Sequence, residues 1–121
     1  MISIFIDLML ATLCVTGAPT ADQCYNVLVG ESTPRGEFTL IQRLTDDPGY
    51  GGDVLQFKET ESGVFAIHRP WLLRPKEDRL KRLASPKSKD RTGITGGCVN
   101  VPDAVYTILL EYAPTARLVI K

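Results

Sequence analysis

The first ten residues of the chain place an apolar side chain at every second position. These positions are Ile2, Ile4, Ile6, Leu8 and Leu10. Successive side chains of a β-strand point to opposite sides, so a period of two is typical of a strand with one buried face. The pattern predicts a strand over residues 2–9, at the start of a β-rich domain.

The same segment is predicted to be neither an export signal nor a membrane span. No Lys or Arg precedes the apolar run, Asp7 interrupts it, and the uncharged stretch from Leu8 to Ala21 covers 14 residues. A signal peptide begins with a positively charged region, and a membrane-spanning helix needs about 20 apolar residues.

Short apolar runs bounded by turn residues continue along the chain. They predict strands at 11–16, 23–30, 38–44, 54–59, 63–68 and 116–121. Two stretches are predicted to be helices instead. One is 75–85, where Leu80 and Leu83 share a face, and the other begins at Pro102. The sequence therefore predicts one domain over 1–121, mostly β, with six or seven strands and two helices.

The cysteines leave two readings of the first hairpin open. If its turn centres on Pro19, Cys14 and Cys24 lie opposite each other. They would form a disulfide in an oxidising compartment, but two unpaired, half-buried thiols are the favoured interpretation. Three cysteines without a Cys-x-x-Cys pair, together with a single histidine, predict no metal site, and no cofactor is predicted.

Charge argues against some partners. The 14 basic residues balance the 14 acidic ones, which disfavours nucleic acid or an anionic membrane as the partner. Residues 69–91 are an exception, because nine basic side chains face only three acidic ones there. This segment is either a solvated helix face or a basic rim around a site for an anionic ligand.

His68, the only histidine, ends one predicted strand, and Cys98 follows Gly96 and Gly97 thirty residues later. A cysteine attacks as the thiolate, and an imidazole that accepts the thiol proton activates it. Glycines before the nucleophile let backbone N–H groups turn toward an oxyanion. The pattern fits acyl transfer through a thioester. From the residues alone, however, a structural His68 and a buried Cys98 are the favoured interpretations.

Three motifs occur in the order of a known family. "STPRGEF" at 32–38, a strand ending in His68, and "TGGCVN" at 95–100 resemble the YkuD-type L,D-transpeptidase catalytic domain. The resemblance runs from the first strand to the closing "ARLVIK". It implies a β-sandwich or barrel-like fold, and a turn shaped by Thr33, Pro34, Gly36 and Phe38.

The resemblance also implies site roles. Cys98 is similar to the nucleophile and His68 to the general base, and the N–H groups of Gly97 and Cys98 are similar to an oxyanion hole. The backbone carbonyl of Arg69 would orient the imidazole. The remaining candidates orient the loop, contact substrate or line the cleft: Thr95, Gly96, Asn100, Arg91 and Trp71. Arg69 or Arg91 would bind a peptide carboxylate, unless both are exposed loop arginines.

The activity implied is cross-linking of peptidoglycan stem peptides through a Cys98 thioester, at the periplasm or cell envelope. Carbapenems would acylate the same thiol. If water replaces the acceptor, the outcome is an L,D-carboxypeptidase. Two other expectations remain: an envelope-targeting toxin of the same fold, and a non-catalytic module that binds the cell wall.

Overall fold

Two β-sheets form the framework of the molecule in the computed structural model, which describes residues 1–18 and 23–121. The first sheet contains β1 (Ser3–Asp7), β2 (Thr12–Thr16), β3 (Gln23–Asn26), β4 (Gly36–Thr39) and β9 (Arg117–Ile120), in the order β3-β2-β1-β9-β4. The second contains β5 (Ile41–Leu44), β6 (Asp53–Thr60), β7 (Gly63–His68) and β8 (Val99–Asn100), in that order. Only β1–β9 and β7–β8 pair in parallel among the named strands of the described residues.

Buried side chains from both sheets and from helix α2 (Asp103–Tyr112) form one hydrophobic core. Ile4 and Ile6 of β1 are fully buried, as the alternation predicts, and they belong to the same core as Leu55 and Ile67 of the second sheet. Burying such a side chain stabilises the fold by about 1.5–3 kcal/mol relative to leaving it exposed. The described residues therefore form a mostly β sandwich with two α-helices, which confirms the predicted class.

Some predicted strands have other bounds in the structure. The first strand ends at Asp7 rather than residue 9, because Asp7 Oδ1 accepts the Leu10 N–H and Ala11 turns the chain with a φ of 50°. Leu10 is consequently 53% exposed. The run 38–44 is two strands rather than one, because the chain passes at the buried Leu40 from the edge of one sheet to the edge of the other.

The predicted helix 75–85 is broken. A 3₁₀ turn occupies Pro75–Glu77, Asp78 adopts the left-handed conformation, and α1 spans only Arg79–Leu83. Both leucines lie in α1, where Leu83 is buried and Leu80 is 57% exposed. We call residues 69–91 the lid, because this segment follows β7 in the chain and lines a cavity beside β7 and β8. No helix in the described ranges is long and apolar enough to cross a membrane.

The first hairpin joins its two cysteines. Cys14 and Cys24 are register partners of β2 and β3, and their sulfurs form a disulfide. The interpretation as unpaired thiols is therefore wrong, since direct cross-strand opposition brings the two sulfurs within bonding distance. The turn predicted at Pro19 lies outside the described residues.

Candidate active site

The parallel pairing of β7 with β8 brings two distant parts of the chain together. Ile67 pairs with Val99 and His68 pairs with Asn100. Ile67 and Val99 are both fully buried in the core. Because side chains alternate along strands, His68 and Cys98 project from the opposite face of the same strand pair.

Two cavities meet at these side chains. One, of about 280 Å³, extends over β5 and β6, and the other, of about 260 Å³, extends under the lid. Tyr50, His68 and Cys98 line both. The fold thus places the imidazole and the thiol at the junction of two separate openings.

The imidazole of His68 is held as one tautomer. His68 is 3% exposed, and its Nδ1 lies 2.5 Å from the backbone carbonyl oxygen of Arg69. A carbonyl only accepts, so Nδ1 carries the proton and Nε2 keeps a free lone pair. The edge of the Tyr50 ring packs on the imidazole at 4.7 Å between centroids.

Burial keeps this imidazole uncharged. Desolvation lowers the pKa of His68, the hydrogen bond with Arg69 raises it, and the nearby positive charge of Arg79 lowers it; together they bring it to about 4. At neutral pH His68 is therefore a neutral base, in the protonation state that can accept a proton from a thiol.

The thiol of Cys98 is free and partly exposed. Its Sγ donates to the carbonyl oxygen of Val64 at 3.8 Å. Desolvation raises the pKa of this thiol, while a backbone hydrogen bond from Ala66 and the charge of Arg79 act in the opposite direction. Without a ligand, Cys98 is consequently a neutral thiol and His68 a neutral imidazole.

Thr95 holds the loop that presents Cys98. Its hydroxyl donates to the carbonyl oxygen of Cys98 at 2.5 Å and accepts the Gly97 N–H at 3.2 Å. Gly97 has a φ of 125°, and a Cβ there would overlap the Phe65 ring, so glycine is required. The Gly97 N–H predicted for the oxyanion hole is thus engaged by Thr95 in this structure.

No protein-family model matches the sequence, and no curated protein is significantly similar to it. The fold, however, matches solved L,D-transpeptidases. The match to the enzyme from Xylanimonas cellulosilytica DSM 15894 covers 99% of this chain and 60% of the other, with a TM-score of 0.62 and 19% identity. This chain has the L,D-transpeptidase fold.

Two further L,D-transpeptidase structures match this chain with similar TM-scores, identities and coverages. The Mycobacterium smegmatis enzyme matches with a TM-score of 0.56 and 16% identity over 99% of this chain and 58% of that one. L,D-transpeptidase 3 from Mycobacterium tuberculosis, in complex with a faropenem-derived adduct, matches with a TM-score of 0.55 and 15% identity over 99% and 60%. The chain spans about 60% of the length of these L,D-transpeptidase chains.

Other residues of the three sequence motifs lie in the turn before β4, in the core and beside the cavity under the lid. Thr33 is buried, and its hydroxyl accepts the Gly30 N–H at 2.9 Å within the turn that precedes β4. Phe38 packs on Phe57 in the core. Gly96 lines the cavity under the lid, and a Cβ at this position would meet no atom within 4 Å.

Asn100 ties the lid to β8 rather than facing the solvent. It is fully buried, and its Oδ1 accepts the backbone N–H of Trp71 at 3.1 Å and an N–H from Nη1 of Arg79 at 2.9 Å. Asn100 lines neither cavity that contains Cys98, and its role as a substrate-binding side chain stays a prediction. Trp71 itself lines the cavity under the lid.

Two arginines predicted to bind a carboxylate are engaged elsewhere. The first is Arg69, whose guanidinium pairs with Asp53 at 2.7 Å and stacks on the ring of Tyr106. Burial alone would raise the pKa of Asp53, but hydrogen bonds from Arg69 and Gln42 hold it below its usual value. The side chain of Arg69 is therefore committed to an ion pair within the protein.

Arg91 is the second, and its side chain is also bound by protein groups. It is 3% exposed, and its guanidinium donates to the carbonyl oxygens of Leu10, Ala11 and Ser85. It therefore joins the lid to the β1–β2 turn, and its role as a substrate ligand stays a prediction. In the described residues, no group of three or more His, Cys, Asp and Glu side chains could hold a metal ion.

Sequence reasoning missed two residues at the site. Tyr50, in the glycine-rich loop before β6, lines both cavities and contacts the rings of His68 and Trp71. Arg79 of α1 lines the cavity under the lid. The only signal for Tyr50 was its place between Gly49 and Gly51, and nothing set Arg79 apart from the other basic residues of the lid.

Proposed function

We propose that this protein is a cysteine acyltransferase that acts on peptidoglycan stem peptides, as an L,D-transpeptidase. The observation that carries the proposal is the convergence of His68 and Cys98 on the same two cavities, with the free lone pair of Nε2 as the proton acceptor. Sites of this kind, with a thiol and an oriented base, perform acyl transfer.

In the proposed reaction, Cys98 Sγ bonds to the carbonyl carbon before the terminal D-alanine of a tetrapeptide stem. His68 Nε2 accepts the thiol proton, and the imidazolium then gives it to the leaving amine as the C–N bond breaks. The amine of a second stem attacks the resulting thioester. Its proton passes through His68 to the released thiolate, which restores the resting enzyme.

The paired cavities suit a reaction with two substrates. Because both contain Cys98 but extend over different parts of the surface, the acyl donor and the acceptor can approach from separate directions. If water reaches the thioester from the acceptor side, the same chemistry is that of an L,D-carboxypeptidase. The Cys14–Cys24 disulfide fits an oxidising compartment such as the periplasm, where the substrate lies.

The test is covalent capture of the thiol. The M. tuberculosis L,D-transpeptidase 3 carries a faropenem-derived adduct, so faropenem and a carbapenem are suitable probes. Intact-mass spectrometry should detect one added acyl group in the wild type and none in Cys98→Ala. Since Cys14 and Cys24 are paired, Cys98 is the one thiol open to acylation in the described chain. An adduct that persists in Cys98→Ala would overturn the assignment.

A second assay separates the activities. Purified tetrapeptide stems, incubated with the protein, should give cross-linked dimers for a transpeptidase and tripeptides for a carboxypeptidase. His68→Ala should abolish both products while leaving the fold intact. A protein that binds sacculi but forms neither product nor thioester would be a cell-wall binding module instead.

A further inference from the structure

The basic side chains of the lid divide into groups by position. Arg69 and Arg91 are bound by protein groups away from the cavities, as described above. Lys81 is exposed on α1 and lines neither of the cavities that contain Cys98. Two arginines, Arg74 and Arg79, line the cavity under the lid together with the nucleophile. Among the described basic residues of the lid, only these two place positive charge beside a substrate bound there.

Arg79 is held rigidly in that cavity. Its side chain is 10% exposed, its Nη1 donates to Asn100 Oδ1, and its Nε lies 3.3 Å from Glu77 Oε1. Nη2 donates to Glu77 Oε2 at 3.4 Å. Within the described residues each Nη atom thus uses one of its two hydrogens, so one N–H on each stays available to a ligand.

The charges of this cavity match one carboxylate. Arg74 and Arg79 are positive and Glu77 is negative, so these three side chains sum to a single positive charge. A planar guanidinium fixed on one side presents its remaining N–H groups to a carboxylate in a geometry that suits two parallel hydrogen bonds. A doubly charged phosphate would leave one charge uncompensated here.

We propose that Arg79, assisted by Arg74, binds a carboxylate of the acyl donor and makes the enzyme select donors that carry one beside the scissile bond. This specificity rests on the proposed acyltransferase function. Two carboxylates of the donor have this chemistry. One belongs to the terminal residue, which leaves. The other lies on the side chain of the diamino acid, whose peptide carbonyl carbon is attacked.

The experiment compares three tetrapeptides: one with both carboxylates free, one amidated at the terminus and one amidated on the diamino acid side chain. We expect the wild type to lose about 10- to 100-fold in kcat/KM on one of the two amidated peptides, which identifies the carboxylate. Arg79→Gln should lose a similar factor on the free acid but little on that amide. Arg79→Lys should restore part of the preference.

Lys81→Gln is the matched control, because it removes one positive charge from the same helix without touching the cavity. Its kcat/KM should equal that of the wild type on all three peptides. If Arg79→Gln fails to fold, Arg74→Gln and the wild-type comparison still decide the matter. Arg74→Gln should reduce the difference in kcat/KM between the free tetrapeptide and the amidated one.

The outcomes separate this proposal from the proposed function. Equal wild-type rates on all three peptides, with a Cys98 thioester formed from each, overturn the carboxylate site and leave the acyltransferase intact. If Arg79→Gln lowers kcat/KM by the same factor on all three tetrapeptides, the carboxylate site is also overturned, because Arg79 would then act only through the fold. No thioester from any peptide or β-lactam overturns both.

Discussion

The Nδ1–H of His68 donates to the backbone carbonyl oxygen of its own neighbour, Arg69, at 2.5 Å. The acceptor is a main-chain atom, so the orientation of the imidazole depends on the turn after β7 and not on the identity of the side chain at position 69. The Arg69 side chain takes no part in this hydrogen bond; it forms an ion pair with Asp53 that fixes the same turn. Arg69 thus supports the imidazole of His68 through its backbone and its side chain together.

The first prediction concerns stability in acid. The pKa of His68 falls from about 6.5 in the unfolded chain to about 4 in the folded protein, so between these values only the unfolded chain binds the proton. The stability associated with a neutral His68 is present above pH 6.5 and is lost as the pH falls toward 4. We expect this residue to account for about 3 kcal/mol of the decrease in unfolding free energy, measured by urea denaturation.

His68→Gln is the control for that titration, because glutamine stays neutral throughout the range. Carboxylates such as Asp53 titrate in both proteins and cancel in the difference. The gap between wild type and variant should change by about 3 kcal/mol between pH 7 and pH 4. A gap that is constant with pH would mean that His68 titrates normally and is not desolvated.

The second prediction concerns the reactivity of Cys98. Because burial raises the pKa of this thiol, little thiolate exists at neutral pH without substrate. The rate of iodoacetamide alkylation should increase about tenfold per pH unit from about pH 7 to about pH 9, without reaching a plateau. Mass spectrometry of the modified protein, with Cys98→Ser as the blank, measures it. A plateau already reached in mild acid would instead reveal a preformed thiolate–imidazolium pair.

Local patterns predicted the strands better than they predicted the lid. The period of two at Ile4 and Ile6 survives in the structure because both side chains face the shared core. Leu80 and Leu83 have a helical spacing, but Asp78 breaks the helix in the left-handed conformation, and spacing alone does not reveal this. The position of Arg79 depends on a contact with Asn100, 21 residues away, and is invisible to any local pattern.

The third prediction concerns the loop that carries Cys98. Thr95→Val removes the hydroxyl that bonds both the Cys98 carbonyl and the Gly97 N–H, at nearly constant side-chain volume. Losing these two bonds should cost about 1–3 kcal/mol in transition-state stabilisation, or roughly 10- to 100-fold in the rate of β-lactam acylation.

Thr95→Ser keeps the hydroxyl and should acylate at nearly the wild-type rate, which separates the hydrogen bonds from the methyl group. The rates are followed by intact mass at a series of times. An unchanged rate in Thr95→Val would mean that the loop needs no hydroxyl to hold Cys98 in place for acylation.

The last prediction concerns the disulfide of the first hairpin. Cys14 and Cys24 are 10 residues apart, and linking a loop of this size restricts the unfolded chain enough to stabilise the fold by about 2–3 kcal/mol. The double variant Cys14→Ser/Cys24→Ser should lose this amount in urea denaturation, and dithiothreitol should destabilise the wild type equally while leaving the double variant unaffected.

The β2–β3 pair lies at the far edge of the first sheet from β4 and belongs to a different sheet from β7 and β8, so Cys98 acylation in the folded double variant should match that of the wild type. A loss of acylation without a loss of stability would link the hairpin to the active site rather than to the fold.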